Sequence, residues 1–219
     1  AGVLAALYAL VAATRTLVDL SVMEQNAPTL NVLQLNGTEA VKMLDLSSQK
    51  LGPVSGVVVG ACLGVNSSLT VLKLGGNNLT NGGRDMAGIK AIADALRVNA
   101  SLTHLNLAEN AIGGNYDWGR FIPTTRGPKA IADALCVNAS LTAVNLSKNN
   151  LGGEYVNEFK LPSTGYKSGA KAQYEGHDLT VLAEKDSDGR VLLGTLDGIV
   201  ALADAIRVSA SLTECGLGY

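Results

Sequence analysis

The sequence is poor in charge. Lys, Arg, Asp and Glu make up 16% of its 219 residues, and the formal net charge is −2. Binding nucleic acid through its phosphates needs a clustered basic face. No basic run, zinc-finger spacing or RNA-binding motif occurs. Three cysteines, Cys62, Cys136 and Cys215, cannot all pair with one another, and their spacing suits neither a disulfide framework nor a metal site. No apolar run reaches the roughly 20 residues that span a bilayer. The nearest, Ala1 to Ala13, is followed by Thr14 and Arg15, and it reads as a capping helix in preference to a leftover signal core. An initiator methionine is also missing, so the chain is expected to begin at a processing site or to be an excerpt of a longer protein. Disorder is excluded by the 47% of apolar residues.

What is present is repetition. The phrase A-I-A-D-A-L-R-V-N-A-S-L-T-H-L-N-L-A-E-N-A-I-G, Ala91 to Gly113, returns almost unchanged as Ala130 to Gly152. Diverged copies run from Val57 to Leu79 and from Ala201 to Leu217. Repeats of this length cannot bury their apolar faces alone and must stack as a solenoid. The last leucine of each L-x-x-L-x-L pattern falls at Leu46, Leu74, Leu107, Leu146 and Leu217, at intervals of 28, 33, 39 and 71 residues.

Each copy has the same parts. The L-x-L alternation has period 2 and predicts a short strand with one buried face. The outward positions are Met43 and Asp45, Val71 and Lys73, His104 and Asn106, Ala143 and Asn145, and Glu214 and Gly216. An N-x-[LI] turn follows, as in Asn77 to Leu79, Asn110 to Ile112 and Asn149 to Leu151. Asparagine bonds readily to nearby backbone. A helical stripe comes next, as in Ile89, Ile92, Ala93 and Leu96. Helices are predicted at about 53–64, 86–98, 127–137 and 196–208. Cys62 and Cys215 fall on inward positions, whereas Cys136 replaces Arg97 and Arg207 of sister copies and should be more exposed.

The pattern L-x-x-L-x-L-x-x-N-x-[LI]-G followed by a helix, on a base period of 28, resembles the ribonuclease-inhibitor-like class of leucine-rich repeats. The resemblance covers roughly residues 41–113, 127–152 and 196–217. It implies an α/β fold: a right-handed horseshoe solenoid with parallel inner strands and outer helices. It also implies a protein that binds other proteins, and it transfers no catalytic residue. The whole of 1–219 is read as one domain. Residues 1–40 form an N-terminal cap or degenerate repeat, 41–217 the repeats, and about 114–126 and 153–195 two strand-to-helix insertions. Within the cap, a helix at about 3–15 would lead to Leu17–Leu20. Residues 29–36 fit either a strand pairing with 41–46 across Gly37 or a short helix from Pro28 to Gly37. The chain stops after an inner strand, so its C-terminal end is expected to be covered by further repeats or a partner chain.

Nine aromatic residues occur, and seven lie in the two insertions: Tyr116, Trp118 and Phe121, then Tyr155, Phe159, Tyr166 and Tyr174. Arg120 and Arg126 lie in or beside the first. Loops on a rigid scaffold are common functional sites, and aromatics with Arg make interface hot spots. The bland alternative is that these aromatics pack on one another and hold the loops down. The outward strand positions carry no aromatic residue and little charge, which favours the insertion rim over the concave face. The expected partner-binding set is therefore Tyr116, Trp118, Arg120, Phe121, Tyr155, Phe159, Tyr166 and Tyr174.

Other motifs resolve to simpler readings. Asp186-Ser-Asp188-Gly189 suggests a calcium loop, but its twelfth position is Thr195 where a glutamate is needed. A hairpin turn between Leu179–Ala183 and Val191–Leu193 fits better. His104 and His177, the only histidines, read as exposed polar residues. Six N-x-[ST] sequons, at Asn36, Asn66, Asn78, Asn99, Asn138 and Asn145, are mostly by-products of the repeat phrase. No cofactor or metal site is expected. The reading is a non-enzymatic protein-interaction scaffold, with a structural subunit built into a larger complex as the alternative. The mean hydropathy of +0.22 motivates that alternative. The compartment stays open, with the cytoplasm as default and organelle delivery after N-terminal processing as the alternative.

Overall fold

The computed structural model describes residues 16–21, 28–117, 120–151, 154–157, 167–168, 170–174, 177–183, 185–194 and 196–218. In chain order the elements begin with β1 (Asp19–Leu20), β2 (Leu30–Asn31), α1 (Val32–Asn36), β3 (Met43–Asp45), α2 (Pro53–Leu63), β4 (Val71–Lys73), α3 (Ala87–Leu96) and β5 (His104–Asn106). They continue with β6 (Gly114–Asp117), β7 (Arg120–Pro123), α4 (Arg126–Leu135), β8 (Ala143–Asn145), β9 (Glu154–Asn157), β10 (Lys171–Tyr174), β11 (His177–Ala183), β12 (Arg190–Gly194), α5 (Leu196–Val208) and β13 (Glu214–Gly216).

The repeat strands form one parallel sheet in the order β13-β8-β5-β4-β3. Its central row, Leu44, Leu72, Leu105, Val144 and Cys215, is in register across all five strands. Leu72, Leu105 and Val144 of this row are buried against the helices, as the period of two requires. The outward rows are Met43, Val71, His104, Ala143 and Glu214, and Asp45, Lys73, Asn106, Asn145 and Gly216. A threonine ladder fixes the same register. The hydroxyls of Thr70, Thr103, Thr142 and Thr213 donate to the carbonyls of Lys42, Thr70, Thr103 and Thr142. These bonds span 28, 33, 39 and 71 residues, the intervals between the leucines. The longest interval adds no gap to the sheet.

Two buried asparagine ladders satisfy the backbone where it turns. At the strand exits, Asn77 donates to Leu46 O and Leu74 O, Asn110 to Leu74 O and Leu107 O, and Asn149 to Leu107 O and Leu146 O. At the helix exits, Asn66 donates to Leu35 O, Asn99 to Leu63 O and Asn66 O, and Asn138 to Leu96 O and Asn99 O. Irregular backbone buried between stacked repeats has no ladder of its own, so these amides supply its partners. They also settle the sequons at Asn66, Asn99 and Asn138, whose side chains are buried and engaged on both sides.

The helices fall within two residues of the predicted spans, the usual fraying margin. The first, α2, is buried almost all round, because α1 and α3 both pack on it. Its Gly60 makes the closest approach: a Cβ there would lie 2.5 Å from the Ala91 carbonyl carbon. In the N-terminal region the short-helix alternative is the one observed. Asn31 caps α1 through a 3.1 Å bond from Gln34 N, and Gly37 ends it at φ 82. The preceding Leu30–Asn31 does not pair with 41–46 but runs antiparallel to Asp19–Leu20. The helix expected at 3–15 lies outside the described residues.

Two further sheets stand apart from the parallel one. The hairpin β6–β7 falls between β5 and α4 in the chain, and β9 to β12 between β8 and α5. The latter form an antiparallel sheet in the order β10-β11-β12-β9. It has its own small core of Ala172, Leu179, Val181, Val191 and Leu193, separate from the main one. The hairpin expected from Leu179–Ala183 and Val191–Leu193 is β11–β12, with an irregularity between Val181 and Ala183. Strands β9 and β10 were not anticipated, although Tyr155 and Val156 are residue types that favour strands.

Candidate functional site

The aromatic set divides between these two added sheets. In the hairpin, Tyr116 lies directly opposite Phe121, and Asp117 opposite Arg120. In the larger sheet, Tyr155 pairs with Leu192 on edge strand β9, and Tyr174 with His177 on the other edge strand, β10. The backbone thus places Tyr116, Phe121 and Arg120 together but separates Tyr155 from Tyr174 by two strands. Trp118, Phe159 and Tyr166 lie outside the described residues.

The two sheets leave the repeats side by side. Gly113 N donates to Asn149 O at 2.8 Å, and Asn150 Nδ2 to Gly114 O at 2.9 Å. Thr124 N closes the foot of the hairpin on Gly113 O at 3.0 Å. The chain also returns from both at one place: Lys129 of α4 pairs with Asp197 of α5 at 3.5 Å. A Cβ on Gly198 would meet the Pro128 ring at 3.0 Å. Where the chain returns from the hairpin, a groove of about 510 Å³ runs between α3 and α4. Arg97 crosses it to Asp133 at 3.7 Å, and Thr125 and Arg126 line it.

The outward face of the parallel sheet is quieter. Its groove, about 420 Å³, is lined by Lys73, His104, Asn106, Asn145, Ser147 and Glu214 among others. Asp45 and Lys73 form an ion pair at 3.2 Å. The Ser47 backbone N–H, more than Lys73, holds the Asp45 carboxyl below its ordinary value. Asn106 and Asn145 use their carbonyl oxygens on Ala108 N and Ser147 N, the same turn bond that Asp45 makes with Ser47. Thr103 gives its one hydroxyl proton to Thr70 O, so it accepts from His104 Nδ1, which sets the tautomer of the neutral ring.

The thiols differ as their positions require. Cys62 is buried, and burial pushes its thiol up to about 12. Cys215 is half-buried and shifted the same way, and Cys136 is exposed. The Asp186 turn is held by its own side chains: the carboxylate accepts from Arg190 N at 2.8 Å, from Asp188 N and from Arg190 Nε. The bond from Arg190 N lowers the Asp186 carboxyl. Among the described residues, no group of His, Cys, Asp and Glu could hold a metal ion. No described helix is long and apolar enough to cross a membrane.

A leucine-rich-repeat family model matches residues 65–86, 98–115 and 137–154. Solved structures with a similar fold include actin-binding site 2 of leiomodin-1, at 14% identity and TM-score 0.52, covering 85% of this chain and 76% of that one. The C-terminal domain of tropomodulin from Caenorhabditis elegans matches at 11% identity and TM-score 0.50, covering 85% and 79%. No curated protein matches the chain. Phrase, ladders, parallel sheet and family match agree that these segments are leucine-rich repeats.

Proposed function

We propose that the chain is a non-enzymatic scaffold that binds another protein through the rim carrying β6–β7 and β9–β12. In this reading both are strand-to-helix insertions into a right-handed horseshoe of the ribonuclease-inhibitor-like class. The observation that carries it is the shared base. Seven of nine aromatics lie in two segments that leave the repeats through adjacent, hydrogen-bonded residues. Surfaces rich in aromatics and Arg supply most binding energy in protein interfaces. Leiomodin-1 contributes an analogy of class, since its similar fold is named as an actin-binding site. At that identity the likeness supports a protein partner and does not single out actin.

The test is alanine substitution at Trp118 and at Phe121, with binding measured against the partner crosslinked to the intact protein in its native source. A hot spot costs about 2 kcal/mol or more, roughly a 30-fold loss of affinity, with thermal unfolding unchanged. Unaltered binding in both variants would remove the rim from consideration. Recovery of the chain only as an insoluble or oligomeric species would favour the built-in subunit instead.

A further inference from the structure

Among the described residues, nine large apolar side chains are exposed, and four of them occupy one position of the repeat. These are Val65 at 54%, Val98 at 70%, Val137 at 57% and Val208 at 53% exposure. Each sits at the helix exit, immediately before the residue that turns the chain back to its strand: Asn66, Asn99, Asn138 and Ser209. The asparagines are buried and bonded into the preceding repeat. With the Asn side chain directed inward, the valine before it is left facing solvent. The residues after those turns, Ala100, Ala139 and Ala210, are exposed too. A β-branched apolar residue in water serves neither the helix nor the turn, and no packing in the described fold uses these four. The row lies at the helix-to-strand ends of the repeats, whereas the aromatic sheets leave from the strand-to-helix ends.

We propose that this valine row is a docking strip for one amphipathic helix of a partner protein, lying across the repeats. Two magnitudes select that occupant. Stacked helices sit 8–10 Å apart, so the valines recur at roughly that step. A helix rises about 10.5 Å in seven residues, so one with an apolar residue at every seventh position sets one side chain against each valine in turn. The exposed area of the four valines is on the order of 350 Å² in total. It is well under the roughly 800 Å² per partner of a stable dimer, which argues against a second copy of this chain.

The probe is a designed helical peptide of four heptads with leucine at every seventh position. Its control has the same composition with leucine at every fifth. Binding to the intact chain is followed by fluorescence anisotropy, together with the double variant Val98→Asp and Val137→Asp. The valines are exposed, so the variant should unfold at the parent temperature. The expected result is saturable binding of the heptad peptide, at least about tenfold weaker for the control and for the double variant. Equal binding of the two peptides, or of the heptad peptide to the two proteins, overturns the proposal. So does a double variant whose measurable change is lost self-association, or lost binding to phosphatidylcholine vesicles. Those results would give the row to a second copy or to a lipid surface. Because Trp118 and Phe121 are untouched, this test fails or succeeds independently of the aromatic rim.

Discussion

Asn110 and Asn149 stand 39 residues apart in the chain, yet Asn110 N donates to Asn149 Oδ1 at 2.8 Å. The same oxygen accepts from Ile112 N at 3.3 Å, while Asn149 Nδ2 donates to Leu107 O and Leu146 O, both at 2.9 Å. One buried amide therefore joins two repeats and, with its further bond to Ser147 O at 3.3 Å, completes five backbone groups. Asn149→Ala should destabilise the protein by about 3 kcal/mol, because each stranded buried group costs about 1–3 kcal/mol. Urea unfolding checks it. A cost below about 1 kcal/mol would mean that water reaches the turn and replaces the side chain.

The helix-exit ladder is broken in the last copy. Leu69, Leu102 and Leu141 donate to Asn66, Asn99 and Asn138, whereas Leu212 N bonds Ser209 Oγ at a longer 3.2 Å. Serine has no amide to return a bond to the previous repeat. Ser209→Asn restores the missing donor and should stabilise by roughly 0.5–1.5 kcal/mol, seen as a higher urea midpoint at unchanged slope. A lower midpoint would show that this turn is not equivalent to the other three.

Gly60 separates two opposed effects. In an open helix, Gly→Ala stabilises by about 1 kcal/mol. Here the added Cβ would lie 2.5 and 2.6 Å from the Ala91 carbonyl carbon and oxygen, and backbone cannot step aside as a side chain can. Gly60→Ala should therefore destabilise, by about 1–3 kcal/mol. The sign alone decides, since net stabilisation would place α2 and α3 farther apart than described.

The thiols should alkylate in the order Cys136, Cys215, Cys62. Reaction needs an accessible thiolate. Cys136 is exposed, while burial raises Cys215 and takes Cys62 to about 12. Cys62 should stay unlabelled until the chain unfolds. Timed iodoacetamide labelling with peptide mass spectrometry reads this directly. Early modification of Cys62 would show that α2 opens locally.

Much of the repeat architecture was legible because the repeat states the same local rule several times. The buried row of Leu72, Leu105 and Val144, the turn asparagines and all four long helices follow from period and phrase. The set of candidate residues was harder. Tyr116 and Phe121 are register partners across a hairpin that no Asn-Gly or Gly-Gly turn announces. Tyr155 and Tyr174 sit on edge strands whose pairing depends on β11 and β12. The valines before the turns were visible in every copy as V-N. Their exposure was not, because it depends on which way the neighbouring asparagine points.

The sequence by itself determined the solenoid. Alternation, helical stripe and turn residue are local, each copy repeats them, and stacking is the one way such copies bury their apolar faces. Tertiary structure alone decided what the non-repeating residues do. Whether Leu30–Asn31 would pair with 41–46 or with Asp19–Leu20 rested on contacts between distant segments. So did the closing of β9 to β12 over a private core. So did the alignment that lets an interval of 71 residues step across the sheet as the interval of 28 does. Such contacts are set by how whole elements pack, and a single strand's pattern carries no record of its neighbour.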